Sequence, residues 1–235
     1  MIKKKLKIGI IGAMDEEIAE YIKHTQGCRQ KKWHEFVFYQ AKLFKQDVII
    51  VKSGIGKVAA AMVCQKLIDE FKVSHIIFTG LAGALNVKYK IGDVVVSNDC
   101  LHHDLDAREL GFSRGTVPFT DYKYFKAEEN LKNLALLTKL PGNKVMAGRI
   151  LTGDQFLTKS KIKKFKYLTK ELKGDVVEME GAAVAQVCVV NKIPFVVIRT
   201  ISDKADGKAA QNFNEFLPQA AKNSFKVLGE IISHL

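Results

Sequence analysis

The segment Asp175 to Cys188, DVVEMEGAAVAQVC, sets two carboxylates, Glu178 and Glu180, between a β-branched run and a row of small apolar residues. Ionised carboxylates in such surroundings are costly unless something compensates them. A second polar island, RTISD, puts Arg199 within an otherwise apolar strand and Ser202 and Asp203 where that strand should end. Taken alone, RTISD reads as a helix cap with an ion pair. A third segment, GAMDEE, follows the first apolar run and carries Asp15, Glu16 and Glu17. Several acids at strand ends suit acid and base chemistry better than they suit stability.

The elements that must position these groups are short β-branched runs alternating with helical patterns. The strands expected are LKIGII (Leu6 to Ile11), FVFYQAKL, DVIIVKS (Asp47 to Ser53), HIIFTG (His75 to Gly80), DVVVSND, KVMAGRIL, DVVEME and PFVVIRTI (Pro194 to Ile201). Between Gly56 and Phe71 apolar residues recur at three and four positions (Ala60, Val63, Cys64, Leu67, Ile68, Phe71), which predicts a helix. A last helix is expected from a cap near Asn214, with Pro218 in its first turn and Leu217, Ala221, Leu228 and Ile232 inward. Such alternation predicts an α/β fold with a largely parallel sheet covered on both faces and ligand bound at the carboxyl ends of its strands. FVFYQAKL followed by QDVIIVKS reads as a hairpin, which makes the sheet mixed. The segments GAMDEE, SGIGK, TGLAGAL, TGDQF, EMEG and RTISDKAD each follow a strand, so together they outline a pocket. The stretch from Asp99 to about Lys126 reads as irregular, a length that is usually functional or interfacial. No repeat or linker composition divides the chain, so residues 1–235 are expected to form a single domain.

Composition narrows the function further. The longest uninterrupted apolar run, Val58 to Cys64, is far below the about 18 residues of a membrane helix. At the N-terminus, Asp15 to Glu17 stand where a signal peptide would still be apolar, so MIKKKLKIGIIG reads as the lead into a first strand. Cys28, Cys64, Cys100 and Cys188 lie far apart and read as small core residues of a reducing compartment. The net charge of +12 is nearly all scattered lysine with no aromatic-rich basic motif, which reads as a solvated surface and not a nucleic-acid face. GIGKVA fits a dinucleotide pattern at Gly54, Gly56 and Ala59, but HIIFTGLAG lacks the acidic ribose anchor, and Lys57 lacks the spacing of a phosphate loop. His102, His103 and Asp104 are poor joint metal ligands, because neighbours on a strand point to opposite faces.

In its ordered motifs the sequence resembles the bacterial 5′-methylthioadenosine/S-adenosylhomocysteine nucleosidases of the purine nucleoside phosphorylase-like family. The matching segments are KIGIIGAMDEE, KSGIGKVAAA, the TG-x-AG turn, GD-x-F, VEMEGAA, PFVVIRTISDKAD and FNEFL, in family order from Lys7 to the final helix. The resemblance implies a three-layer α/β/α sandwich around a central mixed, largely parallel twisted sheet. It also implies a hydrolase that splits the N9 to C1′ bond of methylthioadenosine and S-adenosylhomocysteine, with 5′-deoxyadenosine or aminofutalosine as further candidates, without metal or cofactor.

Residue by residue, the resemblance makes Asp203 the general acid that protonates purine N7, with Ser202 holding its geometry. Glu180 and the backbone of Met179 become the ribose-hydroxyl ligands, and Glu17, with Arg199 nearby, activates the attacking water. Phe156 stacks on adenine and the backbone of Leu157 reads its edge, while Ala82 and Gly83 of the TG-x-AG turn line the substrate. Met14, Ile55 and Phe213 wall an apolar slot for the thio-substituent, and Leu110 and Pro118 complete it from the second subunit of a homodimer. Glu178 is left as a support for some polar neighbour. A phosphorylase needs basic residues near the first strand end, and the acids there imply phosphate-independent cleavage in the cytoplasm. Where the family commonly shows serine in TG-S-AG, this chain has Leu81, so a hydroxyl near water and ribose is missing. A futalosine-type hydrolase, an adenosine phosphorylase and a non-catalytic adenine-nucleoside-binding protein stand as the alternatives.

Overall fold

The computed structural model describes residues 6–203 and 209–235; the side chains of residues 159, 160 and 203–215 fall outside that description. In chain order the elements are β1 (Lys7–Gly12), α1 (Asp15–Lys23), β2 (Gln26–Trp33), β3 (Phe36–Leu43), β4 (Gln46–Lys52), α2 (Lys57–Asp69), β5 (His75–Ala84) and β6 (Val94–His102). They continue with β7 (Phe125–Lys126), α3 (Glu129–Leu136), β8 (Val145–Thr152), α4 (Lys159–Lys164), α5 (Tyr167–Lys170), β9 (Val176–Glu178), α6 (Gly181–Val190), β10 (Phe195–Asp203) and α7 (Ala209–His234).

The strand sequences dictate why helices cover them twice. Successive residues of a strand face opposite sides. Ile8 and Ile10 of β1, Val48 and Ile50 of β4, Ile77 of β5 and Val196 and Ile198 of β10 join one core, packed by Ile18 of α1, Leu131 of α3 and Leu228 and Ile231 of α7. Their alternates Ile11, Ile49, Val51, Ile76, Phe78 and Val197 join a second core with Ala60, Val63 and Leu67 of α2 and Val184 and Cys188 of α6. The small residues of α6 are buried from Gly181 to Ala185, and the helix packs against both sheet and α2.

The α/β class and the mixed sheet are as expected, but the sheet is less parallel than the strand and helix alternation suggests. Its order is β10-β6-β8-β9-β5-β1-β4-β3-β2, with β7 on β6. Because β10 pairs with β5 as well as β6, strands β5, β9, β8, β6 and β10 close on themselves. The β2–β3–β4 meander and the antiparallel pairs β10–β6, β5–β9 and β6–β7 balance the parallel ones. β2 carries no apolar alternation, since it is exposed along its length and pairs only with β3.

Two further expectations are corrected. β6 runs on to His102, so the irregular stretch begins later than Asp99, and it holds a 3₁₀ turn at Arg108–Leu110 before closing on β7. The last helix begins at Ala209 and not near Asn214, which leaves Pro218 inside it and exposed. Val227, Leu228, Ile231 and Ile232 pack the later turns of that helix into the core, and Pro218 lies on its exposed side. Leu217 and Ala221 are only half-buried, while Leu228 and Ile232 are in the core. Cys64, Cys100 and Cys188 are buried, Cys28 is exposed, and burial raises the thiols of Cys100 and Cys188 well above their usual range. Among the described residues no helix is long and apolar enough to cross a membrane.

Candidate active site

The strand-end segments do meet. Ala13, Met14 and Glu17 beyond β1, Leu81, Ala82 and Gly83 of β5, and Ile55 from the β4–α2 turn border one cleft of ≈ 690 Å³, measured to its open mouth. Phe156 and Leu157 beyond β8, Val177 to Glu180 at the β9–α6 junction, and Ser202 of β10 form its remaining walls. Phe156 is half exposed at the rim, whereas Leu157 is buried. Backbone pairing sets Asp203 opposite Gly83. The side chains of Asp203 and Phe213 lie outside the described residues. Leu110 and Pro118 do not reach this cleft: Leu110 is exposed on its 3₁₀ turn, and Pro118 lines a separate surface groove with Lys57, Val58 and Val190.

Glu178 and Arg199 form the buried electrostatic centre behind the cleft. Arg199 Nε and Nη2 donate to Glu178 Oε2 at 3.1 and 2.5 Å, and its guanidinium lies 4.0 Å from the Phe78 ring centre. Glu178 also accepts from the amides of Glu180 (3.1 Å) and Gly181 (2.7 Å) and from the Thr152 hydroxyl. Thr152 Oγ1 in turn accepts from the Ala182 amide at 2.7 Å. Those amides are the free donors of the α6 N-terminus, where negative charge is favoured. Glu178 therefore supports, as expected, and its partners are now named.

With the arginine taken, the other two carboxylates rely on backbone amides. Glu17 Oε2 accepts from Ala13 (2.6 Å) and Met14 (3.1 Å), and Oε1 from Leu81 (3.1 Å). Burial nevertheless raises its pKa, against the pull of Arg199 and those amides. Gly80 is what allows the approach: a Cβ there would stand 2.8 Å from Glu17 Oε1 and 3.1 Å from Arg199 Nη1. Glu180, the residue before α6, accepts from the Gly56 amide at 2.8 Å. Burial first, then the neighbouring Glu178, raise its pKa to about 8.

A second set of contacts ties the walls together and was not apparent from sequence. Lys57 Nζ donates to both oxygens of Asp104 (2.8 and 2.9 Å), which also accepts from the Asp154 amide at 2.9 Å. Asp154 Oδ1 accepts from the Lys57 amide at 2.9 Å. Lys57 is thus held by carboxylates, in keeping with its reading as no phosphate-loop lysine. Burial depresses the pKa of His102 and His103; His102 Nε2 meets Gln186 Oε1 at 2.9 Å, and His103 packs against Gly153. Among the described residues no group of three His, Cys, Asp or Glu side chains is gathered as for a metal. The signal that sequence reading passed over was Thr152, a β-branched hydroxyl at the end of a strand directly before GD-x-F.

A carboxylate-lined cleft at the strand ends of a mixed, partly closed sheet defines the class. The chain belongs to the phosphorylase superfamily, which it matches over residues 7–233. It is 39% identical to the 5′-methylthioadenosine/S-adenosylhomocysteine nucleosidase of Haemophilus influenzae strain PittEE, over 98% of this chain and 100% of that relative. The crystal structure of the Colwellia psychrerythraea nucleosidase in complex with adenine superposes with a TM-score of 0.92 at 37% identity, covering 99% of this chain and 96% of that one. The futalosine hydrolase of Helicobacter pylori superposes with a TM-score of 0.91 at 32% identity, covering 98% of each chain.

Two outcomes follow from the charges. Replacing Arg199 by methionine leaves Glu178 buried without its cation, and urea denaturation at pH 7 is expected to register a loss of about 3–5 kcal/mol; a loss below about 1 kcal/mol would contradict the central role given to the pair. Glu180 has a folded-state pKa above its ordinary 4.5, so between pH 4.5 and about 8 the folded protein keeps a proton that the unfolded chain has released. Stability therefore falls as pH rises through that window, with Glu17 contributing in the same direction. Glu180→Gln is expected to match the wild type near the lower end and to exceed it above the upper end. Denaturation midpoints that run parallel across the window would refute this.

Proposed function

We propose that this chain hydrolyses the N-glycosidic bond of 5′-methylthioadenosine and S-adenosylhomocysteine, releasing adenine and the thioribose. The observation that carries the reading is the pair Glu17 and Glu180, two buried carboxylates on one cleft, each held by backbone amides and neither consumed by Arg199. Likeness over nearly the whole chain to nucleosidases of that name supports the same reaction.

In this reading Asp203 delivers a proton to N7 of the leaving adenine, and Ser202 holds its geometry. As the bond lengthens the ribose gains oxocarbenium character. Glu180, with the Met179 backbone, binds the ribose hydroxyls, and a cation developing above it favours its ionised form, an interaction that helps most in the transition state. Glu17 orients and deprotonates the attacking water; the raised pKa of a buried carboxyl suits a base that must work near neutral pH. Arg199 acts by holding Glu178, whose contacts fix the Glu180 backbone. Phe156 stacks on adenine, the Leu157 backbone reads its edge, and Ala82 and Gly83 line the sugar. Met14, Ile55 and Phe213 wall the thio-substituent. Anionic side chains beyond β1 repel phosphate, which favours water as the nucleophile.

The wider assembly belongs to the same proposal: one nucleosidase domain over residues 1–235, a three-layer α/β/α arrangement, action in the cytoplasm, and a homodimer in which Leu110 and Pro118 of each subunit close the other's slot. Support for the dimer comes from the exposed Val58 and Val190, which line one surface groove together with Pro118. A second reading, a futalosine-type hydrolase, is favoured by the likeness to the Helicobacter pylori enzyme.

Adenine release from methylthioadenosine, S-adenosylhomocysteine and aminofutalosine, each with and without phosphate, tests the reaction. Phosphate-independent release from the first two is expected; strict phosphate dependence would rule out the hydrolase, and release from aminofutalosine alone would favour the second reading. Asp203→Asn is expected to abolish turnover in a folded protein, and near-normal rates would sink the general-acid role. Gly80→Ala drives a methyl group into Glu17 and is expected to lower kcat by about 100-fold, since displacement of a reacting group by an ångström is worth that much; an unchanged kcat would remove Glu17 from the reaction.

A further inference from the structure

The run His102, His103, Asp104 at the end of β6 is a poor metal site, and its three side chains go to different neighbours. His102 Nε2 meets Gln186 Oε1 of α6 at 2.9 Å. The ring of His103 lies against Gly153, where a Cβ would run into it, and the His103 amide donates to the Thr152 carbonyl at 2.9 Å. Asp104 Oδ2 accepts from the Asp154 amide at 2.9 Å. His103 and Asp104 therefore grip residues 152–154, which lead into the segment carrying Phe156 and Leu157.

That segment needs such a grip. β8 ends at Thr152 and α4 begins at Lys159, so the chain between them is irregular. Gln155 and Phe156 are exposed, whereas Leu157 is buried with Leu101, Leu151, Leu168 and Leu172. The Phe156 ring thus hangs between two anchors, Asp154 and Leu157, and an exposed ring on irregular chain keeps its orientation only through them. Asp154 is held twice, because its Oδ1 also accepts from the Lys57 amide at 2.9 Å. Lys57 Nζ completes the network by donating to both oxygens of Asp104, at 2.8 and 2.9 Å. Partial burial opposes ionisation of Asp104, yet the Lys57 ammonium and the Asp154 amide hold its carboxyl below the usual carboxylate range. The same helix end serves the sugar side: the Gly56 amide, one residue before Lys57, donates to Glu180 at 2.8 Å. Successive amides at the start of α2 therefore fix the residue assigned to ribose and the segment assigned to adenine.

Resting on the assignment of Phe156 and Leu157 to adenine in the reading above, we propose that Asp104 and Lys57 are positioning residues for recognition of the base: acting through Asp154, they set where the Phe156 ring and the Leu157 backbone meet adenine. Neither lines the cleft. Their loss loosens the adenine wall and leaves Glu17 in place, since Glu17 is held by the amides of Ala13, Met14 and Leu81. A contact with the base that is made equally in the ground state and the transition state shows in KM and spares kcat.

The test measures the Kd of adenine by calorimetry, together with kcat and KM for methylthioadenosine, well below the denaturation midpoint of each variant. In Asp104→Ala the Kd of adenine and the KM are both expected to rise about tenfold, with kcat changed by less than about threefold. Lys57→Met leaves Asp104 without its cation and is expected to raise both by about threefold, the smaller effect of a partly solvated pair; it decides the matter alone where Asp104→Ala does not fold. An adenine Kd equal to that of the wild type in the folded variants, or a fall in kcat with no change in Kd, would overturn the positioning role while leaving the hydrolase reading intact. A wild type that binds adenine and cleaves no nucleoside would overturn the hydrolase reading alone, because the Kd comparison still decides the positioning role. A wild type with no affinity for adenine would overturn both.

Discussion

The buried pair of Glu178 and Arg199 is the constraint on which the rest of the site depends. One carboxylate joins the end of β9, the middle of β10, the Thr152 hydroxyl at the end of β8 and the N-terminus of α6. Those elements belong to the closed part of the sheet, so the pair sits where closure brings them together. A buried ion pair is a poor source of net stability, because desolvation offsets most of the attraction. Its value here is specificity of arrangement. Few other side chains could satisfy a guanidinium, a hydroxyl and two helix-end amides with a single group.

That arrangement decides the electrostatics of the cleft. Three carboxylates stand near one guanidinium, and geometry gives the guanidinium to Glu178. Glu17 and Glu180 are left with amides, which orient them without cancelling their charge. Burial raises the pKa of Glu17, and burial together with the neighbouring Glu178 raises that of Glu180. A site strained toward neutrality gains most when positive charge appears inside it, which is what happens to a ribose losing its base. In the proposed reaction, the acids beyond β1 disfavour phosphate while Glu180 favours a cationic transition state.

Much of this was legible in the residues. Short β-branched runs alternating with helical patterns announced a sheet covered on both faces, and acids at three strand ends announced the cleft. Closure of the sheet was not legible, because it depends on β10 pairing with two strands far from it in sequence. β2 escaped notice for a related reason: an exposed edge strand has no face to bury and so carries no alternation. The start of α7 differs from expectation because a proline and an asparagine outline a local cap, whereas the helix runs through both and is anchored in the core by its later turns. The network of Lys57, Asp104 and Asp154 joins residues about 50 and 100 positions apart and has no local signature at all.

Leu81 shows how a departure from pattern can leave function in place. At a position where related sequences commonly carry serine, a lost hydroxyl suggests a lost contact with water or ribose. The contact made at this position to Glu17, however, comes from the backbone amide, which any residue but proline supplies. What the side chain changes is the wall of the cleft, from polar to apolar, beside the carboxylate. An apolar wall deepens the desolvation that already raises the pKa of Glu17. In the proposed reaction the substitution would therefore act on the surroundings of Glu17 and leave its position alone, because its position is fixed by main-chain amides.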